Sequence, residues 1–192
     1  MADDLGGKVR EVHAEAAAIL RFWFDEMPAE ARFAKDDAVD RECERRFGDV
    51  RDAILASGAS GWRADADSLL AAVIALDQFS RNIHRGGPRA FEADALALSL
   101  AREAIANGWD TGMDTERCQF LYMPFQHAED ANVQAESVAL FARLGDRQVL
   151  EYAQGHKALI DRFGRFPHRN QALGRRSTPE ELEYLSQPGA GY

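Results

Sequence analysis

The chain has little cysteine, no long apolar run and no excess of positive charge, and each shortage removes a class of protein. Of 192 residues only two are cysteines. Cys43 and Cys118 stand far apart and match neither a CxxC pair nor a Cys/His zinc spacing, which predicts reduced thiols rather than a disulfide framework. The longest apolar run, Leu69 to Leu76, falls well short of the roughly 18–20 residues that cross a bilayer, so no membrane span is expected. The N-terminus opens on Asp3 and Asp4, with Arg21 and Asp25 interrupting the apolar residues that follow, which is not the pattern of a secretory signal. Together these predict a cytoplasmic protein. A formal net charge of -9 argues against a surface that attracts nucleic acid or anionic lipid. No GxSxG, P-loop, GxGxxG or HxE-with-PCxxC pattern occurs, so no common cofactor or nucleophile class is supported and no cofactor is expected.

What is present is enough for a globular core: 46% of residues are apolar and 29% charged, well away from disordered composition. The length predicts one all-helical domain over 1–192, with 1–8 and 187–192 as frayed tails. Apolar residues recur at i, i+3 and i+4, and nothing alternates with period two for long, which makes the fold all-α. Helices are expected over Val9–Glu26, Asp37–Ser57 and Asp67–Asn82. A fourth carries Ala95, Leu98, Ala101 and Ile105 and stops at Gly108, and a fifth runs from Asp114 to Met123, where Pro124 ends or kinks it. Two more follow over Asn132–Leu144 and Asp146–Phe163. A short last helix starts at Thr178-Pro179-Glu180-Glu181, where Thr caps, Pro occupies the first position and the second Glu returns a bond. About eight such helices joined by short breaks pack as antiparallel neighbours, in a compact bundle or a right-handed tetratricopeptide-like superhelix. The similar runs beginning at Ala95 and Ser137 lean toward the superhelix, although their spacing exceeds the 34 residues of a regular tetratricopeptide repeat.

Three blocks are dense in polar residues: Leu76-Asp77-Gln78-Phe79-Ser80-Arg81-Asn82-Ile83, then Tyr122-Met123-Pro124-Phe125-Gln126-His127-Ala128-Glu129-Asp130, then Arg162-Phe163-Gly164-Arg165-Phe166-Pro167-His168-Arg169-Asn170 followed by Leu173-Gly174-Arg175. On these blocks the chain resembles the bacterial family of domain of unknown function 924, from about Ile19 to Leu185. The resemblance implies a tetratricopeptide-like all-α fold and carries no activity with it. Ser80 stands where that family often has Pro, and Gln126 where Glu is common. The first difference bears on where the third helix bends, and the second weakens any role that needs a carboxylate there.

The blocks hold the candidate site. Asp77, Arg81 and Arg85 fall at i, i+4 and i+8 on one helix face, with Asn82 beside them. Asp77 sits among apolar neighbours and calls for an arginine partner, either Arg81 or one from the third block. His127, Glu129, His156 and His168 invite a metal hypothesis, but no HExxH, repeated Glu-x-x-His or Cys cluster supports one, so no metal is expected. From His156 to Arg176, Lys157, Arg162, Arg165, Arg169, Arg175 and Arg176 face only Asp161, a basic island in an acidic protein. The donors Arg165, His168, Arg169 and Asn170 exceed what capping one helix end requires. Together with Arg81, Asn82 and His127 they are expected to converge on one cleft for a small anion or an acidic peptide end, in a binding module. The alternative is an enzyme on a small anionic substrate, with His168 or His127 moving a proton and Arg165 and Arg169 holding the substrate. A structural ion-pair network is the competing explanation for Asp77 and its neighbours. The cysteine reading is directly testable: both thiols should react in denaturant without reductant, and one equivalent of disulfide would overturn it.

Overall fold

Helix starts in the computed structural model sit on short polar side chains that meet otherwise unpaired N–H groups. The structure describes residues 2–190, with side chains described over 10–190. The first helix, α1 (Ala2–Arg21), begins ahead of the expected Val9 and passes into a π turn over Phe22–Glu26. Of the tails expected to fray, 2–8 are helical and 187–190 lie beyond the last helix, while residues 1, 191 and 192 lie outside the described residues. Asp36 accepts from the amides of Ala38 and Val39 to open α2 (Asp37–Ala56). Asp65 accepts from the amide of Ser68 to open α3 (Ala66–Ile74). A second π turn, Ala75–Phe79, joins α3 to α4 (Ser80–Ile83) with helical backbone angles at both joints, so these segments form one rod. After α5 (Asp94–Ala106) and α6 (Thr115–Gln126), Asp130 caps α7 (Ala131–Arg143) and Asp146 caps α8 (Arg147–Phe163). Gly164 ends α8 at φ 70°, where only glycine is unstrained, and its N–H returns to the Ile160 carbonyl.

With α9 (Pro179–Leu185) this makes eight helical rods and no strand among the described residues, an all-α protein. No helix among them is long and apolar enough to cross a membrane. Cys43 and Cys118 are buried and neither forms a disulfide. Of the end or kink expected at Pro124, the end does not occur there, since α6 runs through it to Gln126. So close to the helix end a proline removes little of the hydrogen-bond ladder. Beyond it, Gln134 Nε2 donates to the carbonyls of Gln126 at 2.7 Å and Ala128 at 2.8 Å.

Contacts divide the chain into two compact units. The first comprises the chain up to Arg85 and Arg89–Pro124, and the second Gly86–Pro88 and the chain from Phe125 on. In the first, every residue from Ser68 to Ser80 is buried, so the rod whose Leu69–Leu76 stretch is apolar on all sides lies inside its neighbours. Phe47 stacks on Phe79 at 5.0 Å between ring centres, and Trp23 meets Phe120 edge-on at 5.3 Å. Two buried arginines brace this core. Arg51 Nε donates to Ser80 Oγ at 2.9 Å and its Nη1 to Glu92 at 2.8 Å. Arg32 donates to the carbonyls of Trp23 and Phe24 beside the first π turn and pairs with Glu116.

The second unit is built on the α7–α8 hairpin. Leu159, Ile160 and Phe166 form its small core, with Phe163 and Tyr184 packed against them. At the start of α9 the capping box is complete: Thr178 Oγ1 accepts from the Glu181 amide at 3.2 Å, and Glu181 Oε2 accepts from the Thr178 amide at 2.7 Å. Thr178→Ala should therefore cost about 1 kcal/mol in urea unfolding, and an unchanged midpoint would mean that α9 is not coupled to global stability.

Candidate functional site

Asp77 is 1% exposed and lies in the π turn between α3 and α4. A carboxylate there needs donors close by, and the widened turn supplies them from its own strand of sequence. Arg81 Nη1 lies 3.0 Å from Asp77 Oδ1 and donates to the Asp77 carbonyl at 2.7 Å, while Gln78 Nε2 donates to Oδ2 at 2.6 Å. The other arm of Arg81 reaches Asp94 at 3.0 Å. Arg85 does not share this carboxylate. With Asn82 it turns to Asp40 on α2, whose two oxygens accept from Arg85 Nε at 2.6 Å and Nη2 at 2.7 Å and from Asn82 Nδ2 at 2.8 Å. Burial, the largest single influence, pushes the Asp40 pKa up, but the Arg85 and Asn82 bonds together hold it below its ordinary value. Within the first unit the structure thus joins Asp77 to Arg81, and Asn82 to Arg85 through Asp40.

In the second unit the expected residues fall into two sets. One is a pair of carboxylate clamps on the segment between α8 and α9. Glu129 accepts from Arg175 Nη1 at 2.6 Å and Nη2 at 2.9 Å and from the Phe166 amide at 2.7 Å. Burial raises its pKa most, yet the Arg175 and Phe166 bonds leave it below the usual value. Glu181 is the other clamp. It accepts from Arg165 Nε at 2.6 Å and Nη2 at 2.8 Å and from Asn170 Nδ2 at 3.2 Å, which with the Thr178 amide pulls its pKa down to about 2. Arg165 and Asn170 therefore serve Glu181, a residue visible in the sequence only as a capping glutamate. Arg175, in the third block but outside the expected site, is the partner of Glu129.

The other set gathers around the Phe166 ring. His156 meets it edge-on at 5.5 Å, His168 lies tilted beside it at 5.5 Å, and the Arg169 guanidinium sits 4.6 Å over its face. His127 lies 6.2 Å from His156, and its carbonyl accepts from Arg169 Nη2 at 3.0 Å. His156 Nδ1 is 2.9 Å from the Tyr152 carbonyl. A carbonyl only accepts, so Nδ1 carries the hydrogen and, in the neutral ring, Nε2 is an acceptor. Burial first, and then His127, His168 and Arg169, drive the His156 pKa down to about 3 against the opposing pull of the Tyr152 bond. Two imidazoles and a guanidinium thus share one aromatic ring, with the His127 imidazole beside His156. Among the described residues no group of three or more His, Cys, Asp or Glu is placed to hold a metal ion.

A pKa of about 3 in place of 6.5 means that folding favours neutral His156. Its contribution to stability is complete above pH 6.5 and drains away as pH falls toward 3, roughly 4–5 kcal/mol over the whole range. Glu181, at about 2 in place of 4.5, adds its loss only below pH 4.5. Urea midpoints should therefore fall from pH 6.5 to 4.5 in the wild type and much less in His156→Gln, which keeps a donor for Tyr152. Equal slopes would show that His156 takes up its proton without cost.

The chain matches the family model described as bacterial protein of unknown function (DUF924) over residues 19–189. No curated protein matches it. Among solved structures, the protein of unknown function ATU0120 from Agrobacterium tumefaciens is 41% identical, with a TM-score of 0.86 over 91% of this chain and 98% of that one. Model, identity and fold agree over nearly the whole length, and the chain belongs to the DUF924 family.

Proposed function

We propose that the protein is a binding module that takes a small anion, or the acidic end of a peptide, at His127, His156, His168 and Arg169. The observation that carries this reading is the gathering of His156, His168 and the Arg169 guanidinium around the Phe166 ring, with His127 beside His156. Glu129 and Glu181, which clamp the segment between α8 and α9, bind Arg175 and Arg165. After burial, His127, His168 and Arg169 each disfavour protonation of His156, and a negative charge placed among them favours it. An anion seated there reverses that influence, so affinity rises as pH falls. The segment is anchored by Phe166 and by both carboxylate clamps, which sets the directions of His168 and Arg169 before any ligand arrives and lowers the ordering cost of binding.

In this reading Arg165 and Asn170 are braces of the segment, and Asp77, Arg81, Asn82 and Arg85 brace the first unit. The enzyme alternative asks Arg165 to hold a substrate while it chelates Glu181, so binding is the better supported reading.

The test is the melting temperature in phosphate, sulfate and acetate at constant ionic strength, at pH 6 and 7.5. At tenfold excess over Kd a ligand stabilises by about 1.4 kcal/mol, a rise of about 3–5 °C for a chain of this size. That rise should be larger at pH 6, lost in Arg169→Ala and retained in Arg165→Ala. No rise with any anion at either pH would remove the proposal.

A further inference from the structure

We propose that the buried face of α7 carries an internal site for one small hydrogen-bond donor, between Gln134 Oε1 and Ser137 Oγ. Both residues are 0% exposed, and neither of these atoms has a protein partner. Three positions apart on a helix, the two side chains are neighbours with Cβ atoms about 5–6 Å apart.

The orientation of the Gln134 amide is dictated by its surroundings. Its Nε2 faces the carbonyls of Phe125, Gln126 and Ala128, at 3.4, 2.7 and 2.8 Å. Turning the amide over would set Oε1 against three carbonyl oxygens, so Oε1 points the other way. Ser137 lacks the usual escape of a helical serine, a bond from its hydroxyl to the carbonyl four residues earlier, here Val133. Two buried polar atoms on one helix face are rarely left in this condition. The occupant must donate to Gln134 Oε1 and can donate to, or accept from, the Ser137 hydroxyl. Water and ammonium share that chemistry, whereas an anion is repelled by Oε1.

The site is thus opposite in preference to the imidazole and guanidinium cluster and stands independently of anion binding there. Holding Oε1 in place also keeps Nε2 on the 125–128 turn, which contains His127 and leads into Glu129. The occupant is a positioning element for that turn.

A high-resolution crystal structure of the wild type should show density within about 2.7–3.2 Å of both atoms. Oxygen-17 relaxation dispersion should count one long-lived internal water fewer in Ser137→Val, whose larger side chain fills the space, if the occupant is water. Equal wild-type melting temperatures in ammonium and sodium chloride at matched ionic strength assign the site to water. A rise of a few degrees in ammonium alone, absent in Ser137→Val, assigns it to ammonium. A dry wild-type structure with Ser137 Oγ turned onto the Val133 carbonyl overturns the proposal, and that result stands even if the variant fails to fold.

Discussion

The Glu181 carboxylate, 2% exposed, accepts four hydrogen bonds, two from Arg165, one from Asn170 and one from the Thr178 amide. A carboxylate so enclosed is tolerable only with this many donors. The consequence is geometric. Its donors come from near the beginning, middle and end of the segment between α8 and α9, so one side chain gathers the segment while it opens the last helix. Glu129 repeats the device from the start of the unit, gripping Arg175 and the Phe166 amide. Between the two clamps Phe166 is pressed into the small core, and His168 and Arg169 have little choice of direction. The basic cluster around Phe166 rests on this arrangement.

The first unit solves a related problem with arginines. Its central rod is buried from Ser68 to Ser80, which leaves no solvent for Asp77 or Ser80. Arg51 enters from α2 to meet Ser80, and Arg81 folds back along its own rod to meet Asp77 and Asp94. The planar guanidinium suits this work because several fixed donors can serve two acidic partners at once. The π turns have complementary places here. One widens the rod at Asp77, and the other exposes the Trp23 and Phe24 carbonyls that Arg32 collects. Buried networks of this kind are costly to disrupt and weak evidence for a ligand. That is why Asp77, Arg81, Asn82 and Arg85 are read as bracing.

The His156 environment differs because its neighbours share its sign. Glu129 and Glu181 are held by arginine and amide donors, whereas the groups that disfavour a proton on His156 include two further imidazoles and a guanidinium. Burial is the larger cause, and the bond between His156 Nδ1 and the Tyr152 carbonyl opposes it.

Helical periodicity, the capping signals and the three polar blocks were enough to set the all-α class, most helix boundaries and family membership, because each depends on residues a few positions apart. Thr178-x-x-Glu181 was legible as a cap for the same reason. That the same Glu181 also binds Arg165 and Asn170 was not legible, since the pairing spans the chain between two helices. Nor was the choice of Asp40 rather than Asp77 as partner for Arg85, which lies 45 positions from it in sequence. The run of α6 through Pro124 belongs with these, because a proline stop is a local preference, and Gln134 from the next helix serves the carbonyls beyond it. Local spacing determines which segments coil and which faces are apolar. Which charge meets which is decided only when burial removes water and leaves each polar group to the partner that packing brings within reach.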